Sequence, residues 1–460
     1  MKKQFSLFDC LSAVDYRYWD EEVASYLSEN GFTRYKLRVE LALAKVLSRR
    51  GICSERIVNE IATACNKVTT EEVYAEEDRI RHDIRALANC IRAKVSDEAK
   101  PYVHMTATSY DIVDPANAAR YKDVVERVLI PSLTKLEKVL INTTIREAET
   151  VQVGRTHGQH AVPITFGFAL SEYVSRLGGS IEEMKKLATK LPGKFSGAVG
   201  AYNASSLFFV DPEGFETEVL AELGLIPAEH STQIVPPEAL TRLFCEITIT
   251  AGILANLADD MRHLQRTEIG EVGEEFGAAQ VGSSTMPQKR NPINFENAKS
   301  LWKVVLPRII SVFMDQISEH QRDLTNSASA RTYGETIAYV VSSAKRLTRT
   351  MQKLTVDRVN LERNLALQKG LVVAEPLYII LAALGHPDAH EKVRNLTLQA
   401  QRETRSLEEL VARDAEMGEY LNRMTAYQKQ VLSNPALYTG IAAKKAMKVA
   451  ELWKQKLELQ

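Results

Sequence analysis

The residue types that could carry chemistry gather in a handful of short strings. The first, Gly282–Pro292, reads GSSTMPQKRNP. It joins two helical patterns, and Asn291-Pro292 reads as a helix N-cap followed by proline at the first helical position. The Gly-Ser-Ser turn supplies hydroxyls and backbone N–H groups, Lys289 a positive charge, and the helix start its dipole. Together they suit a carboxylate, or a carboxylate gaining enolate character as a neighbouring proton leaves. Thr108 and Ser109 precede a second such start, Asp114-Pro115, and their hydroxyls and nearby N–H groups suit a carboxylate too. His157 and His160 lie three apart. No cysteine or carboxylate nearby completes a metal-ligand set, so they read as one structural histidine and one acid–base group, histidine being the side chain that titrates near neutrality. Arg322 and Arg331 are nine residues apart, which at ~100° per residue puts them on opposite faces of a straight helix. They converge on one ligand only if Asp323–Ser327, rich in capping residues, interrupts it.

The elements that must position these groups are helical. Ala, Leu, Glu, Lys and Arg are plentiful, whereas Gly and Pro number only 22 and 15. In Val125–Leu140 the apolar residues Val125, Val128, Leu129, Leu133, Leu136 and Leu140 recur at steps of three and four, with Pro131 expected to kink the run. Similar stripes fill Phe166–Leu187, Leu240–Leu264, Phe295–Phe313 and Thr336–Leu354. Their width points to burial against other subunits as well as within the chain. Strand-like alternation is scarce, Ser206–Val210 being the best candidate. Gly270–Gly282 holds four glycines among acidic residues and reads as mobile. At 460 residues the chain exceeds one ordinary core. Three parts are expected: short helices over 1–100, a central bundle of long helices over 101–360, and a smaller helical unit over 361–460.

Composition excludes several partners. With 58 basic and 59 acidic side chains there is no net field to hold a nucleic acid, so an anionic ligand needs a local cluster. The five cysteines are scattered without disulfide or zinc spacing, which fits a reducing compartment. The first residues meet acidic and aromatic side chains too soon for a secretory segment. The most apolar stretch, Ile247–Ala258, falls short of the ~20 residues of a membrane span. A soluble, cytoplasmic protein without membrane partners is expected.

GSSxMPxKxNP resembles the signature of the fumarase/aspartase superfamily, whose members cleave C–N or C–O bonds by β-elimination. HMTATSYDIVD (104–114), GRTHGQH (154–160), GAVGAYN (197–203), STQI (231–234), QRDLTNSASAR (321–331), RHDIRAL (81–87) and DYRY (15–18) are similar, in order, to segments of the adenylosuccinate lyase family. The resemblance implies an all-α, three-part fold with a long central bundle, a homotetramer with active sites shared between chains, no metal, and no organic cofactor. It implies that a nucleotide bearing a succinyl group loses fumarate. His157 would be the general acid, Glu296 the carboxylate that orients it, and Ser283 the general base. Taken alone, Glu296 is a first-turn glutamate favouring the helix dipole, and the residues themselves do not choose Ser283 over Ser284. Lys289 and Asn291 would stabilise the enolate, and Thr108 and Ser109 would hold the succinyl group. Arg322, Ser327 and Arg331, with Arg17, Tyr18 and Arg81, would hold phosphate and carboxylate. His82, Asp83 and Gln233 would line the pocket.

Two departures stand out. Gln288 replaces a histidine common in the family and is similar to argininosuccinate lyases, and Pro236-Pro237-Glu238 is unlike one large branch. Rival readings are an argininosuccinate lyase, a carboxymuconate-cycloisomerase-like enzyme, or a helical scaffold that has lost catalysis. Retention of His157, Ser283 and Lys289 argues against the last.

Overall fold

The computed structural model describes residues 10–275, 285, 286 and 288–459. It is mostly helical, 65% of the chain, with a few short strands. Two compact units emerge. Residues 1–133, 180–252 and 300–345 contribute to the first, and 134–179, 253–299 and 346–460 to the second.

Helix starts follow from local chemistry. Ser28 caps the Glu29–Arg49 helix by accepting a hydrogen bond from Gly31 N, and a side chain at Gly31 would run into the Tyr26 carbonyl. From there Tyr35, Val39, Leu43, Val46 and Leu47 recur at helical spacing, and all are buried. The Val125–Leu140 periodicity also survives: each of its six apolar residues is buried. The disturbance predicted at Pro131 takes the form of a π turn over Val125–Leu129 before the Ile130–Arg146 helix. Proline lacks the N–H that an α-helix would give to the carbonyl four residues back, here that of Arg127; next to it Ser132 Oγ donates to the Val128 carbonyl at 2.7 Å.

One expectation about strands is corrected. Ser206–Val210 is not a strand: Ser205–Leu207 forms a 3-10 turn and Phe209 stacks on Phe215 at 4.4 Å, so packing of one aromatic overrides the alternation. The principal strands are instead β1 (Val151–Thr156) and β2 (Gln159–Thr165), an antiparallel hairpin in the second unit. Gly154 lies where its register shifts, close to the Val162 carbonyl. Val153 anchors the hairpin in the core of the C-terminal helices, with Leu377, Leu381, Leu396, Leu407 and Met417. The Glu238–Leu264 helix is long and apolar enough to cross a membrane, with 56% of its most apolar window buried in the protein.

Candidate functional site

In the first unit the chain gathers four of the chemistry-bearing strings. The helix expected to start at Asp114-Pro115 starts earlier: Thr108 is its N-cap, Ser109 its first residue, and Pro115 lies inside. Asp111 decides this, because its Oδ2 accepts from Thr108 N at 2.9 Å and closes the first turn. The N–H groups of Ser109 and Tyr110 then stand in that first turn, beyond the reach of intrahelical acceptors. Asp111 is wholly buried, and its Oδ1 accepts from Lys194 Nζ at 2.6 Å, Ser196 N at 3.1 Å and Gly197 N at 3.2 Å. Lys194, equally buried, also donates to the Gly197 carbonyl at 2.9 Å. Glu216 completes the hub, accepting from Phe195 N at 2.5 Å and Tyr202 Oη at 2.6 Å. Burial pushes its carboxyl above the usual range.

The GAVGAYN turn held this way packs on the STQI string. Ser196 and Ser231 hydroxyls lie 2.6 Å apart, and a side chain on Gly200 (φ +80°) would collide with the Ser231 carbonyl. Gln233 N donates to the Gln321 carbonyl at 3.2 Å, and Val235 N to Asp114 Oδ2 at 2.8 Å. Beside them Tyr110, Asp114, Asn326, Tyr333 and Arg322 line one cavity of about 100 Å³. Desolvation pushes Asp114 up to about 7, although the Val235 N–H, Lys194 and Arg322 pull the other way.

The helix break that convergence of the arginines requires is present. Asp323 accepts from Thr325 Oγ1 at 2.6 Å, Thr325 N at 2.9 Å and Glu319 N at 3.1 Å, which holds its carboxyl down at about 2. Arg322, immediately before Asp323, has φ +141°, a strained region for a non-glycine residue. The arginines nevertheless line different hollows: Arg331 shares one of about 210 Å³ with Tyr18, Asp15 and Trp19. Ser327 and Arg17 are exposed. Arg81 ends the Thr70–Ile80 helix in a left-handed conformation. His82 caps the next helix by accepting Arg85 N on Nδ1 at 3.2 Å, which leaves the imidazole proton on Nε2, and Asp83 is that helix's first residue.

In the second unit, His157 and Gly158 form the two-residue tip of the β1–β2 hairpin. Both have positive φ, 55° and 73°, as a type I′ turn requires, and the tip is exposed. Arg155, two residues earlier, pairs with Glu271 through both terminal nitrogens, at 3.0 and 2.5 Å. Glu271 is fully buried and also accepts from Gln152 at 2.7 Å and Asn364 at 2.8 Å. The part of Gly270–Gly282 that is described is thus pinned rather than mobile, and Val272–Gly273 pairs with Thr355–Val356. Residues 276–284, with Ser283 and Ser284, lie outside the described residues.

The Ile293–Val305 helix starts just past Asn291-Pro292, and its dipole is already engaged. Glu274 Oε1 accepts from Asn294 N at 2.9 Å and Phe295 N at 3.0 Å, so an anion bound at the signature string must rely on side chains and the turn itself. Lys289, Asn291 and Glu296 line one open groove of about 700 Å³ with Arg262 and Arg266; His157 is not among its lining residues.

Asp111, Lys194, Glu216, Glu271 and Glu274 went unnoticed in sequence, as did Glu40. Glu40 is buried and meets His104 Nδ1 at 2.7 Å; burial lowers that imidazole's pKa, but the Glu40 charge and hydrogen bond carry it above the usual value. Only Asp111 left a signal, as the fourth residue of the Thr-x-x-Asp pattern from Thr108.

Comparison with known proteins places these features in a family. A family model described as lyase matches residues 13–306, and one described as adenylosuccinate lyase C-terminal matches residues 318–430. The adenylosuccinate lyase of Pyrococcus abyssi is 37% identical over 89% of this chain and 91% of its own length; that of Methanocaldococcus jannaschii is 33% identical over 96% of each. The chain belongs to the adenylosuccinate lyase family. Solved structures agree on the fold. A 3-carboxy-cis,cis-muconate lactonizing enzyme from Pseudomonas putida superposes with a TM-score of 0.85 at 25% identity, covering 96% of this chain and 100% of that one. A fumarate lyase from Mesorhizobium has a TM-score of 0.83 at 22% identity, covering 94% and 98%. The all-α fold expected from the sequence is therefore the observed one, and the family match favours an adenylosuccinate lyase over the argininosuccinate lyase and cycloisomerase alternatives.

Proposed function

We propose that this lyase eliminates fumarate from adenylosuccinate to give AMP, and from the succinylated aminoimidazole carboxamide ribotide of purine biosynthesis. The observation that carries the reading is the assembly, in a chain of this family, of the Thr108–Asp114, 194–202, STQI and QRDLTNS segments around one helix start. Such a surface offers N–H groups and hydroxyls to a carboxylate and arginines to further anionic groups.

In this reading Ser283 removes the proton next to the departing carbon–nitrogen bond, helped by Lys289 and by exclusion of solvent. The electron pair passes into the adjacent carboxylate as an enolate that Lys289 and Asn291 stabilise. It then returns to form the double bond of fumarate as the C–N bond breaks. His157, oriented by Glu296, gives its proton to the leaving nitrogen. Thr108 and Ser109 hold the succinyl carboxylate. Arg17, Tyr18, Arg81, Arg322, Ser327 and Arg331 share the phosphate and remaining carboxylate, and His82, Asp83 and Gln233 line the pocket. No metal or organic cofactor takes part.

The working protein is proposed to be a cytoplasmic homotetramer whose sites draw on three chains, with 1–100, 101–360 and 361–460 as its functional divisions. Two features support the pooling of chains. His157 is exposed on its hairpin tip. Ile310 and Phe313 on the short Arg308–Met314 helix, with Leu306 just before it and Ile317 just after it, are large apolar residues with exposures of 60, 49, 42 and 81%.

Fumarate release from adenylosuccinate, with argininosuccinate as control, tests the reaction. Release from neither substrate sinks the proposal, and release from argininosuccinate alone moves the assignment. Light scattering on the purified protein should return four times the 51.5 kDa chain mass.

A further inference from the structure

We propose that Asp111 and Lys194 are a positioning pair, whose buried ion pair sets the carboxylate-binding helix start at Thr108–Ser109 against the 196–200 turn. The inference rests on the functional reading above for what binds there, but the geometry is independent of which nucleotide carries the succinyl group.

Both members are fully buried, 83 residues apart in sequence, and joined at 2.6 Å. An ion pair so placed is a weak source of stability, because desolvation offsets most of its attraction. Its effect is directional. Asp111 spends one oxygen on Thr108 N, fixing where the Ser109–Val124 helix begins. The other oxygen takes Lys194 Nζ and the N–H groups of Ser196 and Gly197, so one carboxylate fixes two backbone segments at once. Lys194 closes the circuit on the Gly197 carbonyl. Glu216 steadies both ends of the turn through Phe195 N and Tyr202 Oη. An apolar pair of similar volume could fill the space, but would leave three backbone N–H groups without this acceptor and the helix start free to fray. Neither Asp111 nor Lys194 reaches solvent, so neither touches substrate. They act through Thr108 and Ser109.

The test compares Asp111→Asn, Lys194→Met and the double variant with the parent. Each single change strands a buried group, and a sharp loss of thermal stability is expected. The double variant removes both charges, keeps an amide acceptor near Thr108 N, and is expected to recover most of the melting temperature. Positioning predicts that the folded double variant still binds fumarate at least tenfold more weakly by calorimetry, with KM for adenylosuccinate raised more than kcat is lowered. Parental fumarate affinity and KM in the folded double variant would overturn the proposal. If the parent itself neither binds fumarate nor releases it from adenylosuccinate, the functional reading fails, and amide exchange then judges the pair alone. The same measurement decides if no variant folds. Thr108, Ser196 and Gly197 amides should exchange as slowly in the parent as the helix core; rapid exchange there contradicts the pair.

Discussion

Asp111 in the first unit and Glu271 in the second are both wholly enclosed carboxylates, and each collects donors from segments that bear candidate site residues. Their cations differ. Lys194 is as enclosed as its partner, whereas the Arg155 side chain is 16% exposed and grips Glu271 with both terminal nitrogens. Asp111 holds a helix start and a turn, the elements proposed to offer N–H groups to the succinyl carboxylate. Glu271 holds a hairpin, whose tip presents one imidazole. A single point charge suffices to tie a carboxylate among backbone N–H groups, while a forked guanidinium fixes the direction in which a hairpin projects.

The same operation on both hubs should expose the difference. Asp111→Asn leaves an ammonium with no route to water, and a stability loss of about 3–5 kcal/mol is expected in denaturant titration. Glu271→Gln leaves a guanidinium that can reach solvent, so about 1–3 kcal/mol is expected, with kcat falling more than KM rises because His157 is loosened. Equal losses, or the reverse order, would remove the distinction drawn between the two cations.

A third buried carboxylate, Glu137, lacks a hydrogen-bond partner among the described residues, and burial raises its pKa well above the carboxylate range. In the unfolded chain it titrates near ~4.3. Its contribution is therefore most favourable below that pH and declines as pH rises towards the folded value. Glu137→Leu should stabilise the protein by about 1–3 kcal/mol at pH 8, and by less at pH 4. A gain that does not change between the two pH values would show that Glu137 is not the group responsible. The smallest effect is local: Gly158→Ala, at φ +73°, should cost about 1 kcal/mol and lower the unfolding midpoint without altering fumarate affinity.

How much of this was legible in the sequence depended on range. Helical stripes such as Val125–Leu140 depend on neighbours three and four residues away, and they read correctly. The interruption between Arg322 and Arg331 was readable because Asp323 bonds to Thr325, two residues on. The Ser109–Val124 helix start was misread because Asp114-Pro115 matches a start pattern and Thr108-Ser-Tyr-Asp111 matches another; burial of Asp111 against Lys194 decides between them, and that contact spans 83 residues. The hairpin escaped notice because GRTHGQH is polar and Pro163 interrupts β2; its hold comes from Glu271, 116 residues beyond Arg155. Glu271 itself sits in the glycine-rich Gly270–Gly282 stretch, which read as mobile. Glu274 was missed for the same reason, its partners lying 20 and 21 residues away across the undescribed segment.

The left-handed turn beneath His157 also dictates how its chemistry can be isolated. Alanine at that position would remove the imidazole and at the same time burden the turn with a conformation it disfavours, so any lost activity would have two authors. Asparagine accepts the left-handed region readily and offers an amide of similar reach that donates no proton at neutral pH. With His157→Asn the scaffold is held constant, and whatever activity disappears can be charged to the proton alone.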